Sequence, residues 1–206
     1  MNRTVERTRR LTEAAAAAAI AAMFVLLKLI APFLVFITMI VSASPIGAVA
    51  YFHGMKWGLG TSIAVILLVT MIGGPEIGLT TAVYAGALGL ALGYSFSHKF
   101  SHGRAIFLTA IAYLVEMSYK VVFSIYVLGI ADALSSMLER FVTFLHWLWQ
   151  PLSSILGFDP DPGKAVFSAS GAVMVALVFL LNGWCYAYLN VELFGELLKR
   201  LRLVRR

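Results

Sequence analysis

Hydrophobic positions along this chain fall in continuous blocks of about 20 residues, separated by short polar or Gly/Pro punctuation, with none of the stripes that mark amphipathic soluble helices. Blocks of that length cross a bilayer, because roughly 20 residues at about 1.5 Å each traverse an apolar core of about 30 Å. The pattern predicts six spans. The first covers about 11–31 and ends at Pro32; the second, about 33–51, contains Pro45 and closes before His53-Gly54-Met55-Lys56. The third covers about 57–73, closed by Gly73-Gly74-Pro75, and the fourth about 78–95, before the polar stretch SFSHKFSHGR. The fifth covers about 105–129 and the sixth about 166–190, followed by the basic stretch KRLRLVRR. The dyad alternation of a membrane β-barrel is absent. The fold class is therefore all-α: a polytopic membrane protein with a six-helix transmembrane bundle in a single domain, residues 1–206.

One connection is long. Residues 130–165 carry Leu134, Met137, Leu138, Phe141, Leu145 and Leu148 at helical spacing, with Trp147 and Trp149 beside them. This predicts an amphipathic interfacial helix on the outer leaflet, since indole rings favour the headgroup region. The turn FDPDPG then precedes the last span, because Pro160 and Pro162 cannot continue a helix.

Composition agrees with this picture. Hydrophobic residues make up 61% and charged residues 13%, with a mean hydropathy of +0.89, whereas a soluble domain carries about a quarter charged. The net charge of +6 and pI near 9.6 raise the question of nucleic acid, but the basic residues cluster at span ends, as topology signals do. Arg3, Arg7, Arg9, Arg10, Lys56, Lys99, Arg104, Lys199, Arg200, Arg202, Arg205 and Arg206 fall on one side, against Arg140 and Lys164 on the other. With an even number of spans, this bias predicts a plasma (inner) membrane protein with both termini cytoplasmic, partnered by the lipid bilayer and by no nucleic acid. The lone Cys185 gives no disulfide framework. The N-terminus has the basic start of a signal peptide, but its apolar run is longer than an h-region and no cleavage site follows promptly, so it reads as a retained span (1–10 being a cytoplasmic basic N-terminus, 191–206 a basic tail).

Charges within spans are the candidate chemistry, because they are costly in lipid and face a bundle interior or cavity. YLVEMSYKVV, residues 113–122, sets Glu116 and Lys120 one helical turn apart, and Lys28 lies in the first span. Lys28 is about 17 residues in from the cytoplasmic end, roughly 25 Å, and Lys120 about 15 residues, roughly 22 Å, so both reach the outer half at similar height. Together they could frame an outward-facing pocket for a small polar, anionic solute, with Glu76 in the Gly-rich stretch MIGGPEIGLT closing over it. The plainer alternative is that Glu116 and Lys120 pair at i,i+4 and that Lys28 snorkels to the headgroups. Ser168 and Ser170 open the last span at a suitable height, and Asn182 suits an interhelical hydrogen bond.

Small residues form ridges: Ala14, Ala18 and Ala22 in the first span, Ala85, Gly89 and Gly93 in the fourth, and the shorter pair Gly54 and Gly58. Such ridges pack helices closely within a chain, and an alanine face could instead dock an outside partner. Enzyme signatures are missing. No HExxH or phosphate-binding loop occurs, and His98 and His102 have no evident third metal ligand. The expectation is no enzyme, no cofactor and no metal.

RLTEAAAAAAIAAMFVLLKLI resembles the first span of the S components of energy-coupling factor (ECF) transporters, with Ala14, Ala18 and Ala22 in the place of that family's alanine-x-x-x-alanine face. SPIGAVAYFHGMKWGLGTSIAVILL is similar to the passage joining that family's second and third spans. The same features, with GALGLALGY, also resemble the YybS-like family of predicted bacterial membrane proteins. The resemblance covers about 10–130 and 166–190; the long segment 130–165 departs from it, as does the absence of an N-terminal histidine motif. It implies a small-solute-binding subunit of a micronutrient uptake transporter, whose alanine face docks a transmembrane coupling subunit driven by cytoplasmic ATPases. The alternative is a non-transporting membrane scaffold or assembly protein that recruits partners through its small-residue faces.

Overall fold

The computed structural model describes residues 3–127 and 169–204, with the single positions 129, 136, 140, 143 and 147 between them. The predicted outer segment 130–165 lies outside the described residues except at those positions, as does Ser168. The described chain is helical, and it forms a helical membrane bundle: five helices are long and apolar enough to cross a bilayer.

Helix α1, Arg3–Ile30, contains the alanine run, the strongest helix-forming sequence available. It stops one residue before Pro32, since a proline disfavours helical geometry in the residue ahead of it. The second predicted span is not one helix. A 3-10 turn, Pro32–Leu34, leads into α2, Val35–Ser42, which ends at Ala43; α3, Ser44–His53, then begins with Pro45 in its first turn. Pro45 has no N–H to offer to the carbonyl one turn back, so the ladder is interrupted there.

Gly54, at φ 93° and ψ 164°, reverses the chain into α4, Met55–Gly73. Gly74, at φ 91° and ψ 168°, reverses it again into α5, Pro75–Thr81. Both lie in a region that essentially only glycine occupies. A π-helical turn, Ala82–Gly86, joins α5 to α6, Ala87–Ser97, so that Pro75–Ser97 forms a single span with a local bulge. Helix α7 covers His102–Tyr126 and α8 covers Ala169–Val204. At 36 residues, α8 is about 54 Å long, well beyond the hydrocarbon core. The basic tail predicted from about 191 is thus a continuation of the last helix.

The chain divides into two compact units, Met1–Met117 with Gly183–Arg206, and Ser118–Asn182. The first has two apolar centres. In one, Ala18, Ala21, Ala22 and Val25 of α1 meet Ile46, Val65, Val69, Tyr84 and Ala85. In the other, Leu92 and Ala105, Ile106 and Ala110 of α7 meet Ala187, Val191, Phe194 and Leu198 of α8. Close approach is secured by missing side chains: a Cβ at Gly93 would stand 2.5 Å from that of Ala50, and one at Gly58 would stand 2.5 Å from the same atom. Large apolar residues such as Leu67, Met71, Phe107 and Leu181 point outward, as a lipid solvent permits. In the second unit, the Tyr119 and Phe123 rings lie 5.5 Å apart.

Ala14, Ala18 and Ala22 are 7%, 3% and 5% exposed, covered by the chain's own helices. Their small side chains bring α1 against α3 and α4.

Candidate functional site

The first unit buries a polar cluster contributed by five elements. Its acidic member is Glu116 on α7, 1% exposed. Tyr84, in the π-turn, is also buried. Its hydroxyl donates to the Thr38 carbonyl at 3.2 Å and lies 2.6 Å from Ser42 Oγ. With its single proton directed at Thr38, the phenol is left to accept from Ser42. The π-turn inserts an extra residue per turn and so re-aims Tyr84 across the bundle, a use such bulges commonly have at functional sites. Gly86 closes that turn where a Cβ would meet Ser62 Oγ at 2.6 Å.

Helices α7 and α8 supply the opposite wall. Tyr113 and Tyr186 stack with centroids 4.3 Å apart and planes inclined by 29°. Gly183 makes this possible, since a Cβ there would press on Leu114 Cδ2 at 3.1 Å and on the Tyr113 ring at 3.4 Å. One turn beyond Tyr186, the buried Asn190 donates Nδ2–H to the Tyr186 carbonyl at 2.9 Å. The phenols of Tyr84, Tyr113 and Tyr186 all lie within electrostatic reach of Glu116. Above the Tyr84 ring, 6.0 Å from its centroid, sits Lys28 Nζ, on a half-buried side chain of α1.

Lys28 therefore lies over Tyr84, and Glu116 is buried within the same unit. Glu76 stands apart from them, exposed in the first turn of α5. Lys120 is half-buried on α7 in the second unit, and Asn182 is exposed at the end of that same unit. His98 packs against the Tyr94 ring at 4.1 Å, while His102 faces Glu192 at 3.5 Å. Among the described residues, no group of three metal-ligating side chains comes together.

The span-by-span reading of charges missed the tyrosines. Tyrosine is frequent at membrane interfaces, so one hydroxyl-bearing ring in a span draws no attention. The available signal was spacing: Tyr113 precedes Glu116 by one turn, and Tyr186 precedes Asn190 by one turn. What the assembled cluster can do is bind. It offers a carboxylate acceptor, several phenolic hydroxyls and an ammonium group, in surroundings where unpaired polar atoms are costly.

Bundle and buried polar centre together define a helical membrane protein with an intramembrane polar site. Residues 19–205 match a family described as predicted membrane protein (DUF2232), and the chain belongs to that family. No curated protein and no solved structure gives a significant match.

Proposed function

We propose that the protein is the solute-binding membrane subunit of an uptake transporter of the ECF type, set in the plasma membrane with both termini cytoplasmic. The observation that carries this reading is the burial of Glu116, 1% exposed inside the bundle, with Lys28 lying over the ring of the buried Tyr84. An ionisable group held inside a membrane bundle is expensive and marks a solute or ion pathway by default. The solute is small, polar and anionic. Lys28 attracts its anionic group, Glu116 and the phenols read its hydroxyl or N–H groups, and Glu76 belongs to the outer rim through which it enters.

The chain carries no nucleotide-binding signature, so in this reading energy comes from cytoplasmic ATPases through a transmembrane coupling subunit. That subunit meets the exposed stripe of α1 containing Ala15 and Ala19, because Ala14, Ala18 and Ala22 are occupied within the bundle.

The test is gentle purification from the native membrane, with mass spectrometry of whatever accompanies the protein, for the wild type and for Glu116→Gln combined with Lys28→Met. A co-purifying small molecule or coupling subunit with ATPases is expected for the wild type, the small molecule being lost from the double variant while the fold survives. Recovery of envelope or assembly proteins alone, with the double variant altering only thermal stability, would replace this reading with that of a scaffold.

A further inference from the structure

Helices α7 and α8 run antiparallel, since His102 meets Tyr188 and Glu192 while Tyr113 meets Gly183 and Tyr186. Asn190 falls between these two levels and is 1% exposed. Its Nδ2–H donates to the Tyr186 carbonyl at 2.9 Å, which fixes the amide and leaves Oδ1 as a directed acceptor. That oxygen is sealed from solvent, and no donor among the described residues reaches it.

Keeping such an oxygen is costly. A buried acceptor without a donor loses its hydration and gains nothing in exchange, whereas a hydrocarbon side chain of similar shape has no hydration to lose. Nor does the fold need the amide, because the Tyr186 carbonyl already takes the Asn190 main-chain N–H inside α8. Water is a poor donor here, since an internal water needs several polar partners of its own. The neighbours on this face of α8, Ala187, Val191 and Phe194, belong to the apolar core shared with Leu92, Ala105 and Ile106. A guest that brings its own donor meets the need. Asn190 lies one turn beyond the Tyr113–Tyr186 stack and Glu116 one turn on its other side, so the two acceptors are about 10 Å apart along the helices. They cannot share one donor, but one small molecule can reach both. We propose that Asn190 reads the solute: its Oδ1 accepts from an N–H or O–H of the bound molecule, which therefore carries a second donor, set apart from the one that Glu116 meets. The assignment rests on the solute-binding reading and adds to it a specificity-determining contact on α8.

The experiment compares the full-length wild type with Asn190→Leu, which keeps the branched shape, and Asn190→Ala, which adds no bulk. Each protein is washed of small molecules in detergent and then offered the water-soluble small-molecule extract of the native cells. Unfolding in SDS is followed before the extract is added, and mass spectrometry identifies what is retained afterwards. Before the extract, at least one variant should unfold at a higher SDS concentration than the wild type, because the unserved oxygen is gone. After it, the wild type should retain an anionic molecule bearing N–H or O–H groups, and both variants should hold it at least about tenfold less well. If neither variant is more stable than the wild type, the assignment is overturned, because a donor within the protein, such as the Tyr186 hydroxyl, already serves Oδ1. Retention by the variants equal to that of the wild type would overturn it as well, while leaving the solute-binding reading intact. Retention by none of the three proteins would overturn that reading, and this assignment with it.

Discussion

Replacing Gly93 with alanine tests the packing logic most sharply. The new Cβ would stand 2.5 Å from the Ala50 Cβ and 2.8 Å from the Gly47 carbonyl oxygen. Non-bonded carbons settle at about 3.5–4.0 Å, so α3 and α6 must part by about 1 Å. No rotamer change relieves this, because the obstructing atoms are a backbone oxygen and a Cβ. Overpacking of this kind costs about 1–3 kcal/mol, and alanine's better helix propensity returns up to about 1 kcal/mol. The expected net loss is about 1–2 kcal/mol. In lipid this loss has no hydrophobic reserve behind it, since helix association there relies on van der Waals fit. Gly60→Ala is the matched control: nothing lies within 4 Å of its new Cβ, so only the propensity gain of up to about 1 kcal/mol remains. Reversible unfolding in mixed micelles with increasing SDS, followed by helical ellipticity, compares the two. If Gly93→Ala proves as stable as Gly60→Ala, the account of the α3–α6 contact is wrong.

Tyr84→Phe removes a hydroxyl bonded to Ser42 and to the Thr38 carbonyl, and should cost about 1 kcal/mol. Ser42→Ala should add little once Tyr84 is already Phe, and a double-mutant cycle that shows simple additivity would contradict the bond. Gly54→Ala meets no atom within 4 Å but must hold φ near 93°, so strain alone should destabilise it by about 1–3 kcal/mol; unchanged unfolding would show that the turn adapts. Gly86→Ala collides with Ser62 Oγ at 2.6 Å, a side-chain atom, so combining it with Ser62→Ala should recover most of whatever stability the single change loses. A double variant no more stable than Gly86→Ala alone would show that the contact is not what limits that position.

The sequence by itself determined that the chain lives in a membrane as a bundle of helices, and roughly where most spans lie, but not that the second span breaks at Pro45 or that the last helix runs on to Val204. Those properties are local. Block length decides insertion, Pro32 and Pro45 interrupt the ladder, and Gly54 and Gly74 permit the reversals. Tertiary structure decided which side of each helix is inside. In water, hydrophobicity marks the buried face of a helix; in lipid it does not, because Leu67 or Phe107 is as well solvated outside as Val65 or Ile106 is within. Alanine at 14, 18 and 22 is therefore compatible with an interior face or with a docking face, and only the close packing of α1 on its neighbours selects the first. The sequence offered Glu116 as a charge within a span and Glu76 as a loop carboxylate beside glycines, and burial separates them: Glu76 is exposed and Glu116 is 1% exposed. Tyr84 reaches that centre through a π-turn, and Tyr113 stacks on Tyr186 across a glycine on another helix. Contacts between residues so far apart in the chain depend on how the helices cross, which the apolar pattern of a membrane span does not encode.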